Sequence, residues 1–216
     1  MGRGHSYQKG TVWFYSHFID LLLRPVRAGV VQVCEEIRPE NVLDICSGTG
    51  AQCLLLDRAG INTVGLDLSE AMVRSARRCS PPNVRYVRGS AFALPFDDQA
   101  FACVLLILAL HEHTHAEQLT MLSEAYRVLR KEGTLILAEY SPPEHGSDRL
   151  VWSFITMIER LAGGDHYRNF RAFVEAGGAE SLKGNLPLSV LARYPLFSGT
   201  ISLLAFRFNY TVDLHS

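Results

Sequence analysis

Two short runs concentrate the residues able to do chemistry. VLDICSGTG, Val42 to Gly50, sets an acid, Asp44, just ahead of a glycine turn, and VGLDLS, Val64 to Ser69, ends a second apolar run on Asp67. Gly48 and Gly50 let the backbone turn sharply after a strand and let a ligand approach closely. A dinucleotide fold would set its pyrophosphate on the next helix and want a third small residue, where this chain has Cys53. An anionic Asp44 beside the turn repels pyrophosphate and attracts a ligand bearing an ammonium and a sulfonium. S-adenosylmethionine carries both groups and no phosphate, so it is the expected cofactor, with S-adenosylhomocysteine (SAH) as product. A carboxylate at Asp67 can accept two hydrogen bonds from ribose hydroxyls. The same residue also suits a plain helix-flanking acid before Ser69.

A second set of reactive types lies downstream. HEHTH, His111 to His115, formally contains HExxH through His111, Glu112 and His115. A zinc hydrolase needs these on one helix, so that both imidazoles meet the metal. Thr114 and Glu117 instead make a capping box that starts the helix at about His115 and leaves His111 and Glu112 in the preceding loop. No metal site is expected. At the mouth of a crevice His111 could act as general base or orienting donor, or simply flank the helix. GGDHYRNF adds His166, Tyr167 and Phe170 after two glycines, either as a mobile cover over an acceptor or as a packed helical face. LVWSFITMIERL is strongly apolar, fit for a pocket wall, a dimer contact or core.

The elements that must position these groups follow from periodicity. Phe18, Leu21, Leu22, Val26, Val30 and Val33 give a helix from about Tyr15 to Ile37, which Pro25 should interrupt. Strand, glycine turn and helix follow, with Gly60 as a stop and Ser69 as the next N-cap. Pro81 and Pro82 bar that helix from the strand NVRYV. Ala100 to Leu110 is a continuous apolar run, the mark of a strand covered on both faces. Leu119, Leu122, Ala125, Tyr126 and Leu129 make a helix that Gly133 should end, before the strand TLILAEY. Two helices and two β-rich runs, Leu188 to Tyr194 and Ile201 to Phe208, complete the order, the last pair as an antiparallel hairpin.

At 216 residues and 48% hydrophobic content the chain suits one domain. Its expected parts are an N-terminal helical lid region (1–38, with Trp13, Tyr15 and His17), a cofactor-binding core (41–140), a helical substrate or lid insertion (145–180) and a C-terminal hairpin (186–210). A net charge of -1 and a pI of 6.7 provide no basic field for nucleic acid. Arg74, Arg77 and Arg78 read as a solvated helix face. Five scattered cysteines imply reduced, cytoplasmic usage, and no apolar run reaches the length of a membrane span. The expected partner is a small-molecule substrate, with the chain a monomer or homodimer and no stable membrane insertion.

The order of motifs resembles the class I S-adenosylmethionine-dependent methyltransferases, and within them the ubiquinone/menaquinone-biosynthesis C-methyltransferase-like group (methyltransferase type 11). The likeness runs from Val42 to Pro143 through VLDICSGTG, GLDLSEAM, NVRYVRGSAFALPFDDQAF and YRVLRKEGTLILAEYSPP. It implies an α/β fold, a Rossmann-like three-layer sandwich whose seven-stranded, mostly parallel sheet ends in an antiparallel hairpin. Carried over by position, the loop Asp44, Cys46, Ser47, Gly48 and Gly50 would hold the methionine part and Asp67 the ribose. Leu68 would lie on the adenine face, Ser90 and Ala91 at the adenine edge, and Ile107 beside the sulfonium. The acceptor would be small and apolar or aromatic, with His111, His166 and Tyr167 as catalytic candidates. The chain departs from the family pattern at Cys46, usually glycine, at Ser90, usually aspartate, and at Phe101-Ala102, usually Phe-Asp. The alternatives are an NAD(P)-binding oxidoreductase, opposed by Asp44 and by the lack of a tyrosine-lysine pair, and a non-catalytic cofactor-binding relative.

Overall fold

The structure is a computed structural model and describes residues 23–142, 149–184 and 188–208. The proposed lid residues Trp13, Tyr15 and His17 lie outside the described residues. Helix α1 (Arg24–Ile37) buries Val26, Val30, Val33 and Cys34 at helical spacing. Pro25 stands in its first turn, where a residue has no intrahelical N–H bond to lose, and the part of the expected helix before residue 23 lies outside the described residues.

Strict alternation follows: β1 (Val42–Ile45), α2 (Ala51–Arg58), β2 (Thr63–Asp67), α3 (Glu70–Cys79), β3 (Arg85–Arg88), β4 (Phe101–Ile107), α4 (His115–Val128) and β5 (Leu129–Tyr140). After these come α5 (Arg149–Ala162), α6 (Gly164–Glu175), β6 (Leu188–Leu196) and β7 (Ile201–Phe208). Together the strands form one seven-stranded sheet in the order β3-β2-β1-β4-β5-β7-β6. Every neighbouring pair is parallel except β5 with β7 and β7 with β6. The expected Rossmann-like architecture is therefore present.

Central strands are apolar on both faces, as a doubly covered sheet requires. Val42, Leu43 and Ile45 of β1 and Cys103 to Leu106 of β4 are buried, as are Leu135 to Ala138 of β5. Each such leucine contributes about 1.5–3 kcal/mol through burial. Strand order reverses between β1 and β4, so their carboxyl ends open the crevice in which ligands of open α/β sheets bind.

Two expected boundaries shift. Helix α4 ends at Val128, not at Gly133, because Leu129 turns extended and pairs with Phe101 of β4. The register then moves to Cys103 against Thr134, five positions on β5 against two on β4, so residues 130–133 form a bulge. Gly133 serves that bulge: a Cβ there would lie 2.7 Å from Leu129 Cδ1 and 2.9 Å from the Arg130 carbonyl oxygen. GGDHYRNF is likewise not a loop, since Gly164 starts α6 and Phe170 and Phe173 pack its buried face. The packed-face reading of that segment therefore describes the backbone.

Candidate active site

The loop between β1 and α2 is built by backbone geometry. Cys46, Gly48 and Gly50 all have positive φ, at 61°, 54° and 79°. The family's usual glycine at the first of these positions thus has a conformational basis, and Cys46 carries strain of about 1–2 kcal/mol there. Tyr86 supports the loop from beneath. Its hydroxyl donates to the Gly50 carbonyl at 3.2 Å and lies 2.8 Å from Ser80 Oγ, and a Cβ on Gly50 would meet it at 2.3 Å. This brace was missed in the sequence, where Tyr86 is one aromatic residue in an ordinary strand.

Asp67 is joined to the same loop. Its Oδ2 accepts from Gly48 N at 2.9 Å and its Oδ1 from Ser69 N at 2.8 Å, while Ser47 N donates to the Leu66 carbonyl at 2.9 Å. Burial raises its pKa, and the two amides oppose that rise only in part. Gly89 N donates to the Asp67 carbonyl at 3.0 Å, which brings Ser90 and Ala91 to the same strand end. Ser90 Oγ already accepts from Phe92 N at 3.2 Å, so it folds its own turn. Leu68 is 55% exposed beyond the strand, a large apolar surface beside a carboxylate. Ser69 caps α3 through Met72 N, as its position suggests.

Asp44 lies deeper. It is buried within β1, and the Cys53 thiol donates to its Oδ2 at 3.4 Å. Burial raises its pKa to about 7, against the opposing pull of the Cys53 hydrogen bond and the Arg27 charge. The anion assumed from sequence is thus only about half formed near neutrality. At this depth the group meets a cation far more favourably than a neutral ligand.

The second constellation gathers at the ends of β4 and β5. Leu108 turns the chain at φ 50°, Leu110–Glu112 form a single 3-10 turn, and the capping box of Thr114 and Glu117 starts α4 at His115. His111 and Glu112 therefore precede the helix, as expected, and HEHTH forms no zincin helix. Glu139 is fully buried at the end of β5; its Oε1 accepts from Ala109 N at 2.8 Å and Leu110 N at 2.6 Å. Its Oε2 lies 2.9 Å from His111 Nδ1. Glu159 from α5 faces the other side of the ring, 3.7 Å from His111 Nε2, and contacts His166 Nε2 from α6. The Tyr140 hydroxyl donates to Glu159 Oε1 at 2.8 Å. Burial disfavours the His111 cation, but Glu139, Glu159 and Glu112 outweigh it and lift the pKa to about 9.

His111 and His166 are thus brought together, with ring centroids 5.6 Å apart. Tyr167 is not part of that pair: it stacks on Phe170 and lies under the Arg160 guanidinium, 5.1 Å from its ring centre. Phe170, Trp152 and Tyr140 complete an aromatic wall beside them. Glu139 and Glu159 were missed as site residues, although a carboxylate inside TLILAEY or closing an apolar helix is a signal in itself. The loop and this cluster are electrostatic neighbours. Burial holds the Cys46 thiol well above its ordinary pKa, with Asp67, Glu112, Asp44 and Glu139 adding to the effect. Ile107 ends β4 at this junction, paired with Ala138. The shallow cleft lined by Asp57, Gly60 and Asn83 lies at the opposite, amino-terminal end of the strands.

The loop offers what S-adenosylmethionine requires. Ser47 Oγ is buried without a partner among the described residues, and a side chain on Gly48 would enter open space. An acid lies at each end of this loop, Asp44 buried within β1 and Asp67 at the end of β2.

A family model described as "Methyltransferase domain" matches residues 42–133. A demethylmenaquinone methyltransferase of Thermus thermophilus is 34% identical over 153 residues, covering 68% of this chain and 69% of the relative. Another, from Renibacterium salmoninarum, is 32% identical over 57% of this chain, which spans about half (51%) of that relative's length. Among solved structures, magnesium protoporphyrin IX methyltransferase from Synechocystis PCC 6803 with bound SAH superposes with a TM-score of 0.60 at 18% identity, over 86% of this chain and 83% of that one, a likeness of fold. The chain belongs to the class I S-adenosylmethionine-dependent methyltransferases. Among them it resembles the enzymes of menaquinone methylation. Neither the oxidoreductase nor the zinc-hydrolase alternative has support in these likenesses. Among the described residues, no helix is long and apolar enough to cross a membrane.

Proposed function

We propose that the chain methylates a small apolar or aromatic acceptor bound over the carboxyl ends of β4 and β5. The observation that carries this reading is the aromatic wall of Tyr140, Trp152 and Phe170 around His111, next to the loop assigned to the cofactor. The apolar face that α5 leaves exposed, Leu150, Phe154, Met157 and Leu161, supports an acceptor of the same character. S-adenosylmethionine, when bound, supplies an electrophilic methyl group on a sulfonium.

The residues then divide the work. Asp44, Ser47 and the amides of the Cys46–Gly50 loop hold the methionine part, Asp67 the ribose hydroxyls, Leu68 one adenine face, and Ser90 and Ala91 its edge. Ile107 excludes water beside the reacting centre. Methyl transfer is an in-line displacement, so alignment of the acceptor is the main task of the wall. His111, fixed by Glu139 and next to His166, orients the acceptor rather than taking its proton, because the surrounding carboxylates keep its ring charged near neutrality. Tyr167 and Arg160 stiffen the outer rim. The deciding experiment incubates the protein with methyl-labelled cofactor and fractionated cell extract. Label in a small apolar or aromatic product supports the reading; label only in nucleic acid or protein overturns it.

Asp44 makes cofactor binding pH-dependent. A cationic ligand favours its carboxylate, so binding drives off a proton wherever the free site is protonated. With a pKa of about 7, about half a proton should leave at pH 7 and nearly one at pH 6, and affinity should fall toward tenfold per unit as the pH drops below 6. Calorimetry in two buffers of different ionisation enthalpy reads the proton directly, and a buffer-independent enthalpy would separate Asp44 from the cation. Without ligand the sign for folding is the opposite. The raised pKa costs stability as pH climbs from the ordinary carboxylate range through about 7, because only the unfolded chain readily ionises there.

A further inference from the structure

We propose that His111, Glu159 and His166 bind one divalent transition-metal ion of the zinc class. One ligand atom from each of these residues lies within 4.8 Å of the other two. His111 Nε2 and His166 Nε2 both turn toward Glu159 Oε2, the first at 3.7 Å and the second in direct contact. Donors held 2.0–2.1 Å from a tetrahedral zinc stand about 3.3 Å apart, so small side-chain shifts accommodate the ion.

The surroundings supply an independent indication. Metal-bound histidines commonly give their second nitrogen to a carboxylate, which fixes ring and tautomer. His111 Nδ1 lies 2.9 Å from Glu139 Oε2, and His166 Nδ1 lies 4.0 Å from Glu112 Oε2. Both rings therefore present Nε2 to the same oxygen and Nδ1 to a separate acid. Those acids are themselves placed: Glu139 by two backbone amides, and the Glu112 backbone by Asn169 Nδ2 on its carbonyl at 2.7 Å. Tyr140 occupies Glu159 Oε1 and leaves Oε2 for the ion.

Charge points the same way. Three carboxylates, Glu112, Glu139 and Glu159, meet around two imidazoles in a mostly buried space, a setting that favours a cation, and a divalent ion on Nε2 would take the place of the proton there. Two imidazoles and one carboxylate suit zinc and its neighbours, whereas magnesium and calcium take oxygen donors. The three ligands come from the turn after β4, from α5 and from α6, so the ion ties both helices to the sheet. Three protein ligands also leave a fourth position for an oxygen or sulfur donor. The sequence motif HExxH is not this site: His115 starts α4, and the partners of His111 are about fifty residues away.

The test uses the full chain, stripped with a chelator and titrated with Zn²⁺ and then Co²⁺ against a chromophoric competitor. We expect one ion per chain, visible bands of a four-coordinate Co²⁺ centre and no competition from Mg²⁺. His166→Gln and Glu159→Gln should weaken binding at least about 100-fold. His115→Gln should bind as the unaltered chain does. X-ray absorption of the unaltered, zinc-loaded protein gives a ligand count that needs no variant, and two imidazoles are expected. Binding well below one equivalent, a shell without two imidazoles, or binding that survives His166→Gln but is lost in His115→Gln would overturn the assignment.

Discussion

Asp67→Ala is expected to weaken SAH binding by roughly 100- to 1,000-fold. Two charge-assisted hydrogen bonds to ribose hydroxyls would go, at about 1.5–3 kcal/mol each before compensation by water. The same change removes the acceptor of Gly48 N and of Ser69 N, so the β1–α2 loop also loses the contact that pins it to the end of β2. Asp67→Asn keeps one carbonyl acceptor and should fall between the two. Calorimetric titration of each variant, with circular dichroism to establish folding, reads the effect. A folded Asp67→Ala chain with unaltered affinity would move the ribose elsewhere.

Glu139→Ala should cost stability, on the order of 3–5 kcal/mol. The side chain is wholly buried, and its removal orphans the N–H groups of Ala109 and Leu110, leaves His111 without its Nδ1 partner and opens a cavity at the end of β5. For a chain of this length that corresponds to a fall in Tm of about 10 °C. Glu139→Gln retains an oxygen for both amides and should lose less than half as much. Thermal unfolding of the three proteins decides the matter. Equal Tm values for Glu139→Ala and the unaltered chain would show that the turn after β4 does not depend on this carboxylate.

The two experiments address parts of the site that differ in how they are encoded. The loop proposed to hold the cofactor is a contiguous motif whose partner acid follows within twenty residues. Its strand, positive-φ turn and helix are local necessities, and the register of β1 on β2 brings Asp67 against Gly48. Ser69 and the Thr114–Glu117 box were legible for the same reason, since a cap acts over three residues. Where local signals failed, a longer contact had overridden them. Gly133 has the look of a helix stop, yet pairing of Leu129 with Phe101 ends α4 earlier and assigns the glycine to a bulge. GGDHYRNF leaves a mobile cover and a packed helical face both open, and packing of Phe170 and Phe173 draws the segment into α6.

By itself the sequence determined the alternation of strands and helices and the glycine turn after β1, because these rest on periodicity and on residues near in the chain, while the seven-stranded sheet and the class of enzyme followed from the order of motifs shared with a known family. Only the tertiary structure decided which partners His111 has. Glu139, Glu159 and His166 come from one strand and two helices, 28 to 55 positions further on. No spacing rule links them: a β5 end, an α5 face and an α6 face converge only once their apolar surfaces have packed. That packing turned a histidine beside a helix into the centre of a buried, many-sided charge cluster.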